Sequence, residues 1–520
     1  MTTTTPTSPR PDVAARSSSS TRASSVGVPV VLGLAGVAVA LVGSSTVSLW
    51  TDEAATVSAA TRSLPELWAL VQRIDAVHAA YYLVMHLWTA VAGTSPFALR
   101  LPSAIAAGVA VVGVHRLLVV LGRPDAAVAG AVVAVVLPRI TWMGIEARSF
   151  GPSAAVAVWA TVLLVVALQR GGAVRWVGYA ALVGVGTALN IYVALLAVAH
   201  AVTVAVSRRV ALRRRLAWLV SAAAGGLAAS PVVLLAAGQQ GQLGDNDLGL
   251  VQIARGVVVN QWFLGGTPTR VDSTASPTEP WALASVALAL VGWIAMVVAV
   301  VVGVRGRRTG PLWVLVPVVV VPTAVVVAYS LLVSPLYNPR YFTFAAPVCA
   351  ALVGVGVSAL RRRWTRVAVL VLIVALCVPV WSSQRQVTGK SGTDWSEAAA
   401  VVERGARPGD GVYFAPLDAD PPRVVERSTA NVGVVYPEAF DGLVDVTARS
   451  RPVDQDSLRG TAWPLDSPRS RLADVDRLWV VEPADAPTAR ADDATLEAAG
   501  FERVSLWTGG MTSVEGWRRD

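Results

Sequence analysis

Asp52 and Glu53 stand side by side in "SLWTDEAATVSAATRS", directly after an apolar run and at the point where that run would leave a membrane. Carboxylates at such an interface are partly desolvated, which raises their pKa and can make one of them a general base. The plainer role is structural: Asp52 caps a helix that begins at Glu53, since acids suit a helix N-terminus. Further along, "EARSFGP" sets Glu146 and Arg148 at the outer end of another apolar run. They could form a surface ion pair with each other, yet charges so close to a hydrocarbon core are rare and usually functional. In "YNPRYF", Arg340 is the only cation of a short loop between two long apolar runs. It is either a snorkelling interfacial anchor or a phosphate binder, because the planar guanidinium grips phosphate with two parallel hydrogen bonds. His78, Tyr81 and Tyr82 recur near helical spacing in "HAAYYLVMHLW", and an aromatic belt would account for the tyrosines without chemistry. His86, His115 and His200 fall within or beside apolar helices and read as packing residues. Asp245 and Asp247 in "GDNDLG" lack the later Glu of a calcium loop and read as solvated.

The elements that must position these groups are membrane helices. The chain of 520 residues is 54% hydrophobic and only 15% charged, with a mean hydropathy of +0.57, a balance foreign to soluble domains of this size. Its net charge of +9 comes from basic residues placed in short clusters between apolar runs. That pattern argues orientation in a bilayer and against nucleic-acid binding. Cys349 and Cys377 both sit in apolar runs, which excludes a disulfide framework.

Residues 1–25 are too polar to bury a core and read as a disordered cytoplasmic leader. Residues 26–380 hold apolar runs for about eleven transmembrane helices, with an extracytoplasmic loop at 43–100. The run after the leader reads as a retained first span, not a cleaved signal peptide. Eleven crossings place Arg123, Arg170, Arg175, Arg208 to Arg215, Arg305 to Arg308 and Arg361 to Arg366 on one side with Arg10, Arg16 and Arg22, as the positive-inside rule requires. The count works only if residues 78–93 do not cross, and that segment suits an interfacial helix. Residues 381–520 turn Pro- and Asp-rich. Here "DWSEAAAVVERGARPGDGVYFAP" reads as helix, turn and strand, and "RLWVVE" as another strand, which together indicate a small extracytoplasmic α/β domain. It carries no Gly-rich phosphate loop and no clustered metal ligands.

Four features occur in order: an acidic pair after the first span, His and Tyr-Tyr about 25 residues later, "EAR" after the third span, and "RYF" opening a late span. The set resembles the GT-C superfamily of integral-membrane glycosyltransferases, in the branch of protein O-mannosyltransferases and lipid A aminoarabinose transferases, over residues 26 to about 380. The resemblance implies that Asp52 is the catalytic base and that Glu53, His78, Tyr82, Glu146 and Arg148 support it or bind substrate. Arg340 and Tyr341 would then lie at the polyprenyl-phosphate end of the cavity. The chain departs from the family's pattern with "HAAYY" where relatives often read His-Pro-Pro-Leu-Tyr, and with Ser149 where Tyr often follows "EAR".

The implied reaction moves a mannose- or arabinose-like sugar from a polyprenyl-phosphate donor to a glycolipid, polysaccharide or protein of the cell envelope. It would occur at the outer face of the plasma membrane, with the N-terminus cytoplasmic and the C-terminal domain outside. No cofactor is indicated, and a divalent metal is left open. Two other classes fit the composition. A transporter or lipid flippase would show repeats and ionisable residues near the bilayer midplane, and a membrane-anchored binding protein would leave the acidic pair and "RYF" without a task.

Overall fold

The computed structural model describes residues 20–207, 210–239, 248–267, 279–415, 429–458, 460–484 and 489–519. The leader up to residue 19, together with Asp245 and Asp247, lies outside the described residues. The membrane portion is helical. It opens with α1 (Ser20–Leu41), α2 (Thr51–Ala60), α3 (Leu64–Arg73), α4 (Ala79–Ala92), α5 (Pro96–Val120), α6 (Pro124–Val136) and α7 (Pro138–Met143). There follow α8 (Phe150–Arg170), α9 (Ala173–Leu189), α10 (Ala194–Val206), α11 (Leu212–Ala237), α12 (Leu250–Arg255) and α13 (Gln261–Phe263). The last group is α14 (Pro280–Arg305), α15 (Leu312–Leu332), a 3₁₀ turn at Pro339–Ala345, α16 (Ala346–Ser358) and α17 (Arg363–Ser383).

Among the described residues seven segments are long and apolar enough to cross a membrane: α5, α8, α11, α14, α15, the 3₁₀ turn with α16, and α17. Five shorter apolar helices, α1, α4, α6, α9 and α10, lie among them. Eleven crossings require four of these five to span as well, with α4 as the exception. That helix turns Tyr81, Tyr82 and Met85 inward and leaves Leu83, Val84, Leu87 and Val91 exposed.

Small residues let the helices approach. A Cβ on Gly108 of α5 would fall 2.6 Å from the carbonyl oxygen of Gly33 in α1, so these backbones touch, as membrane helices do through glycine. One buried polar cluster within the bundle is fully paired. His200 bonds Tyr179 Oη at 3.0 Å and Thr161 Oγ1 at 3.2 Å, and Trp218 Nε1 donates to the same Tyr179 hydroxyl at 3.1 Å. This network makes His200 a satisfied packing residue. The two cysteines are free and buried.

After α17 the chain forms α18 (Trp395–Gly405), β1 (Gly411–Phe414), α19 (Ala430–Val435), β2 (Val444–Asp445), β3 (Ala448–Ser450), β4 (Thr461–Ala462), β5 (Arg477–Pro483), α20 (Ala489–Ala498), β6 (Phe501–Thr508) and β7 (Thr512–Arg519). The main sheet has the order β2-β1-β5-β7-β6. β1 runs parallel to β2 and β5, and β7 pairs antiparallel with β5 and β6. β5 is buried along Leu478 to Val481, as a central strand in such a sheet must be.

This C-terminal domain shares a core with the segment between α1 and α5. Ala54, Val57, Ala59 and Ala60 of α2 pack in one apolar cluster with Trp395, Ala398 and Val402 of α18 and Val432 and Val435 of α19. Polar ties reinforce the seam: Leu49 N donates to Tyr436 Oη at 2.8 Å, and Ser396 N to Ser48 Oγ at 3.1 Å. The small residues of "AATVSAA" allow this, because helix α2 is covered by the membrane bundle below and the domain above.

Candidate active site

The acidic pair divides its labour. Trp50 is the residue flanking α2 and Asp52 lies inside the first turn, so Asp52 does not take the capping position before Glu53. Glu53 faces inward and is fully buried. Its Oε1 accepts from Arg100 Nε at 2.8 Å and from the Ala147 amide at 2.9 Å, and its Oε2 accepts from Arg100 Nη2 at 2.6 Å. Arg100 spends its remaining donors on the carbonyls of Ser44, Val47 and Ser48. In this bidentate buried pair all five Arg100 protons and both Glu53 oxygens are engaged, which suits a structural tie and not a substrate ligand. Glu53 is a structural rivet joining α2, α5 and the "EAR" loop.

Asp52 turns the other way, into a cluster of cations. Arg340 Nη1 lies 2.7 Å from Asp52 Oδ2, and Arg148 Nε lies 4.0 Å from the same oxygen. Burial pushes the Asp52 pKa up, but the Arg340 and Arg148 charges outweigh it and hold the carboxyl below its ordinary value. Arg148 is buried, and its Nη1 donates to Tyr82 Oη at 3.1 Å and to the Asp52 carbonyl at 3.2 Å. Tyr82 Oη in turn donates to Asp75 at 2.7 Å. Tyr82 is therefore a buried link in this network and not part of an aromatic belt. His78 packs beside it with ring centroids 5.8 Å apart, and its Nδ1 is buried without a partner.

Arg340 leaves the 3₁₀ turn between the ring faces of Trp50 and Tyr341, each 5.6 Å from its guanidinium carbon. Tyr341 stacks on Tyr192 at 4.9 Å. The turn is fixed by Asn338, whose side chain accepts from the Arg340 amide at 3.2 Å. These contacts hold Arg340 in the site, where an interfacial anchor would instead reach for headgroups.

Glu146 and Arg148 do not pair with each other. Glu146 Oε2 accepts from Lys390, and Oε1 from Trp50 Nε1 at 2.9 Å. Lys390 stands in the segment joining α17 to the C-terminal domain and is 1% exposed. Its Nζ lies 4.9 Å from the Trp142 ring, and Arg139 approaches the same ring at 5.0 Å. Trp142 is held by a close backbone: a Cβ on Gly265, whose φ is +116, would fall 2.8 Å from the Trp142 Cβ. Arg139 donates to the carbonyls of Gln261 and Asn260 and has no acidic partner among the described residues.

The structure thus brings together Asp52, His78, Tyr82, Glu146, Arg148, Arg340 and Tyr341, and sets Glu53 aside as support. Sequence reasoning missed Trp50, Arg100, Arg139 and Lys390. One signal was available: Lys390 is the single lysine of the whole chain. Around the site stand four cations, Arg139, Arg148, Arg340 and Lys390, against the carboxylates of Asp52, Asp75 and Glu146. Such an excess at a partly desolvated site suits an anion. Among the described residues no three His, Cys, Asp or Glu side chains converge as metal ligands do.

Comparison with known proteins fits this geometry. A family model described as dolichyl-phosphate-mannose-protein mannosyltransferase matches residues 79–234, a stretch that holds Tyr82, Glu146 and Arg148. Among solved structures, ArnT from Cupriavidus metallidurans in the apo state is similar with a TM-score of 0.59 at 12% identity, covering 95% of this chain and 98% of that one. The same protein bound to undecaprenyl phosphate gives a TM-score of 0.53 at 12% identity, covering 96% and 98%. The mycobacterial arabinofuranosyltransferase AftD gives 0.50 at 14% identity, covering 94% of this chain and 39% of that one. No curated protein sequence matches. Over nearly its whole length the chain shares the fold of ArnT, and residues 79–234 within it match the protein mannosyltransferase model.

Proposed function

We propose that this protein is a glycosyltransferase that moves a sugar from a polyprenyl-phosphate donor to a hydroxyl acceptor at the outer face of the membrane. The observation that carries the reading is Asp52, an ionised carboxylate set against Arg340 and Arg148 at the end of a membrane bundle. A polyprenyl tail belongs among the helices, and its phosphate belongs beside guanidinium groups at the interface. The ArnT structure with undecaprenyl phosphate shows a protein of this fold holding such a lipid.

In this mechanism the acceptor hydroxyl gives its proton to Asp52 as its oxygen forms a bond to the anomeric carbon. The bond from that carbon to the phosphate oxygen breaks, and the electron pair leaves with polyprenyl phosphate. Attack from the side opposite the leaving group inverts the configuration. Arg340 and Arg148 stabilise the charge that grows on the departing phosphate. The donor carries its own activation, so no nucleotide enters. Mannose and arabinose are the sugars we propose, with an envelope glycolipid, polysaccharide or protein as acceptor.

A deletion strain tests this. Its envelope glycans and glycoproteins should lack a sugar that the parent carries. A plasmid copy of the wild type should restore that sugar, and an Asp52→Asn copy of equal abundance should not. Restoration by Asp52→Asn would remove Asp52 as the base.

A further inference from the structure

Arg340 has two claimants. Its Nη1 lies 2.7 Å from Asp52 Oδ2, and its Nε is buried without a hydrogen-bond partner. Arg148 approaches the same Asp52 oxygen, and its Nε is likewise buried and unpartnered. One carboxylate oxygen therefore occupies the place where two guanidinium groups converge, which is where a phosphate oxygen would be held. The rings of Trp50 and Tyr341 each lie 5.6 Å from the guanidinium carbon of Arg340, contacts that favour its place beside Asp52.

We propose that the donor phosphate displaces Asp52 from Arg340, and that this exchange unmasks the base. While Arg340 Nη1 is engaged by Asp52 Oδ2, that oxygen accepts a charged hydrogen bond and is a poorer proton acceptor. Once a phosphate oxygen takes Arg340 Nη1, that lone pair is free for the acceptor hydroxyl. The exchange moves hydrogen bonds only and makes or breaks no covalent bond. It enforces an order, donor before acceptor, and keeps the base neutralised while no sugar is present to transfer. The inference rests on the reading above that the site takes a polyprenyl phosphate.

The test is a double-variant cycle on the purified full-length protein, measuring binding of undecaprenyl phosphate in detergent. If Asp52 and the phosphate compete for Arg340, Asp52→Asn should tighten binding by about tenfold. In an Arg340→Gln background the same substitution should change binding by less than about twofold, since the contested group is gone. Asp52→Ser serves the same cycle if the Asn variant does not fold. Equal tightening in both backgrounds would mean that Asp52 only repels the phosphate, and would overturn the exchange. So would unchanged binding in Asp52→Asn. A wild-type protein with no saturable binding of undecaprenyl phosphate would instead overturn the donor reading itself, and the exchange with it.

Discussion

Two adjacent carboxylates have opposite fates because one helical residue step turns them about 100° apart. Asp52 faces the cations of the site and Glu53 faces Arg100. Their substitutions should therefore fail differently. Asp52→Asn should keep the fold and lose transfer by about 10²–10⁴-fold, the usual worth of a positioned base. Glu53→Ala strands a fully buried Arg100 and should cost about 3–5 kcal/mol, read as a lowered unfolding temperature and a poor folded yield. A stable, inactive Glu53→Ala would reverse the assignment.

The charge environment also sets a pH dependence. Burial raises the Asp52 pKa, but Arg340 and Arg148 lower it more, so the carboxylate persists to more acidic pH than usual. The acid limb of kcat/KM for the donor, which reports the free enzyme, should lie below the ordinary carboxylate range. If donor phosphate takes Arg340, the limb of kcat should lie at higher pH. A single shared limb would contradict that.

Residue types and order were enough to single out Asp52, Glu146, Arg148 and Arg340, because ionisable groups next to hydrocarbon must have a reason to be there. Their partners were not legible. Glu146 and Arg148 are two positions apart and look like a pair, yet the tight turn between α7 and α8 sends one to Lys390 and the other to Asp52 and Tyr82. No local pattern links residue 146 to residue 390.

At the scale of elements, the apolar runs foretold the helices, and "RLWVVE" a strand that forms as β5. The seam between α2 and the C-terminal domain was hidden, since Ala, Thr and Ser in α2 carry no strong amphipathic signal and reveal their burial only against α18 and α19. The segment after α17 adds to that seam. Ser48 N donates to the Val387 carbonyl at 2.9 Å, and Lys390 reaches Glu146. Lys390→Met should leave Glu146 as an uncompensated buried charge and lower the unfolding temperature markedly, by a cost of about 3–5 kcal/mol. Adding Glu146→Gln should restore much of that loss. If the double variant is no more stable than the single, the pair does not act as a unit.

At the scale of the whole molecule, seven long apolar helices and five shorter ones support a bundle with one sheet-containing domain beyond it. Length alone does not separate a short crossing from an interfacial helix, so the expectation for α4 rests on the basic clusters together with the two His and adjacent Tyr of its own segment. The proposed topology puts Ser505 on β6 outside and Arg362 before α17 inside; both are exposed. In right-side-out vesicles, an impermeant maleimide should label Ser505→Cys and leave Arg362→Cys unlabelled until the membrane is opened. The reverse pattern would place the site on the cytoplasmic face. Orientation, however, is secondary to chemistry. The most direct measurement is release of polyprenyl phosphate from polyprenyl-phosphate mannose or arabinose, in proteoliposomes containing envelope acceptor, by wild-type protein and Asp52→Asn. The account predicts release with sugar transfer by the wild type on one of these donors and release slower by about 10²-fold or more by the variant. Equal release by both, or none by either on both donors, would contradict it.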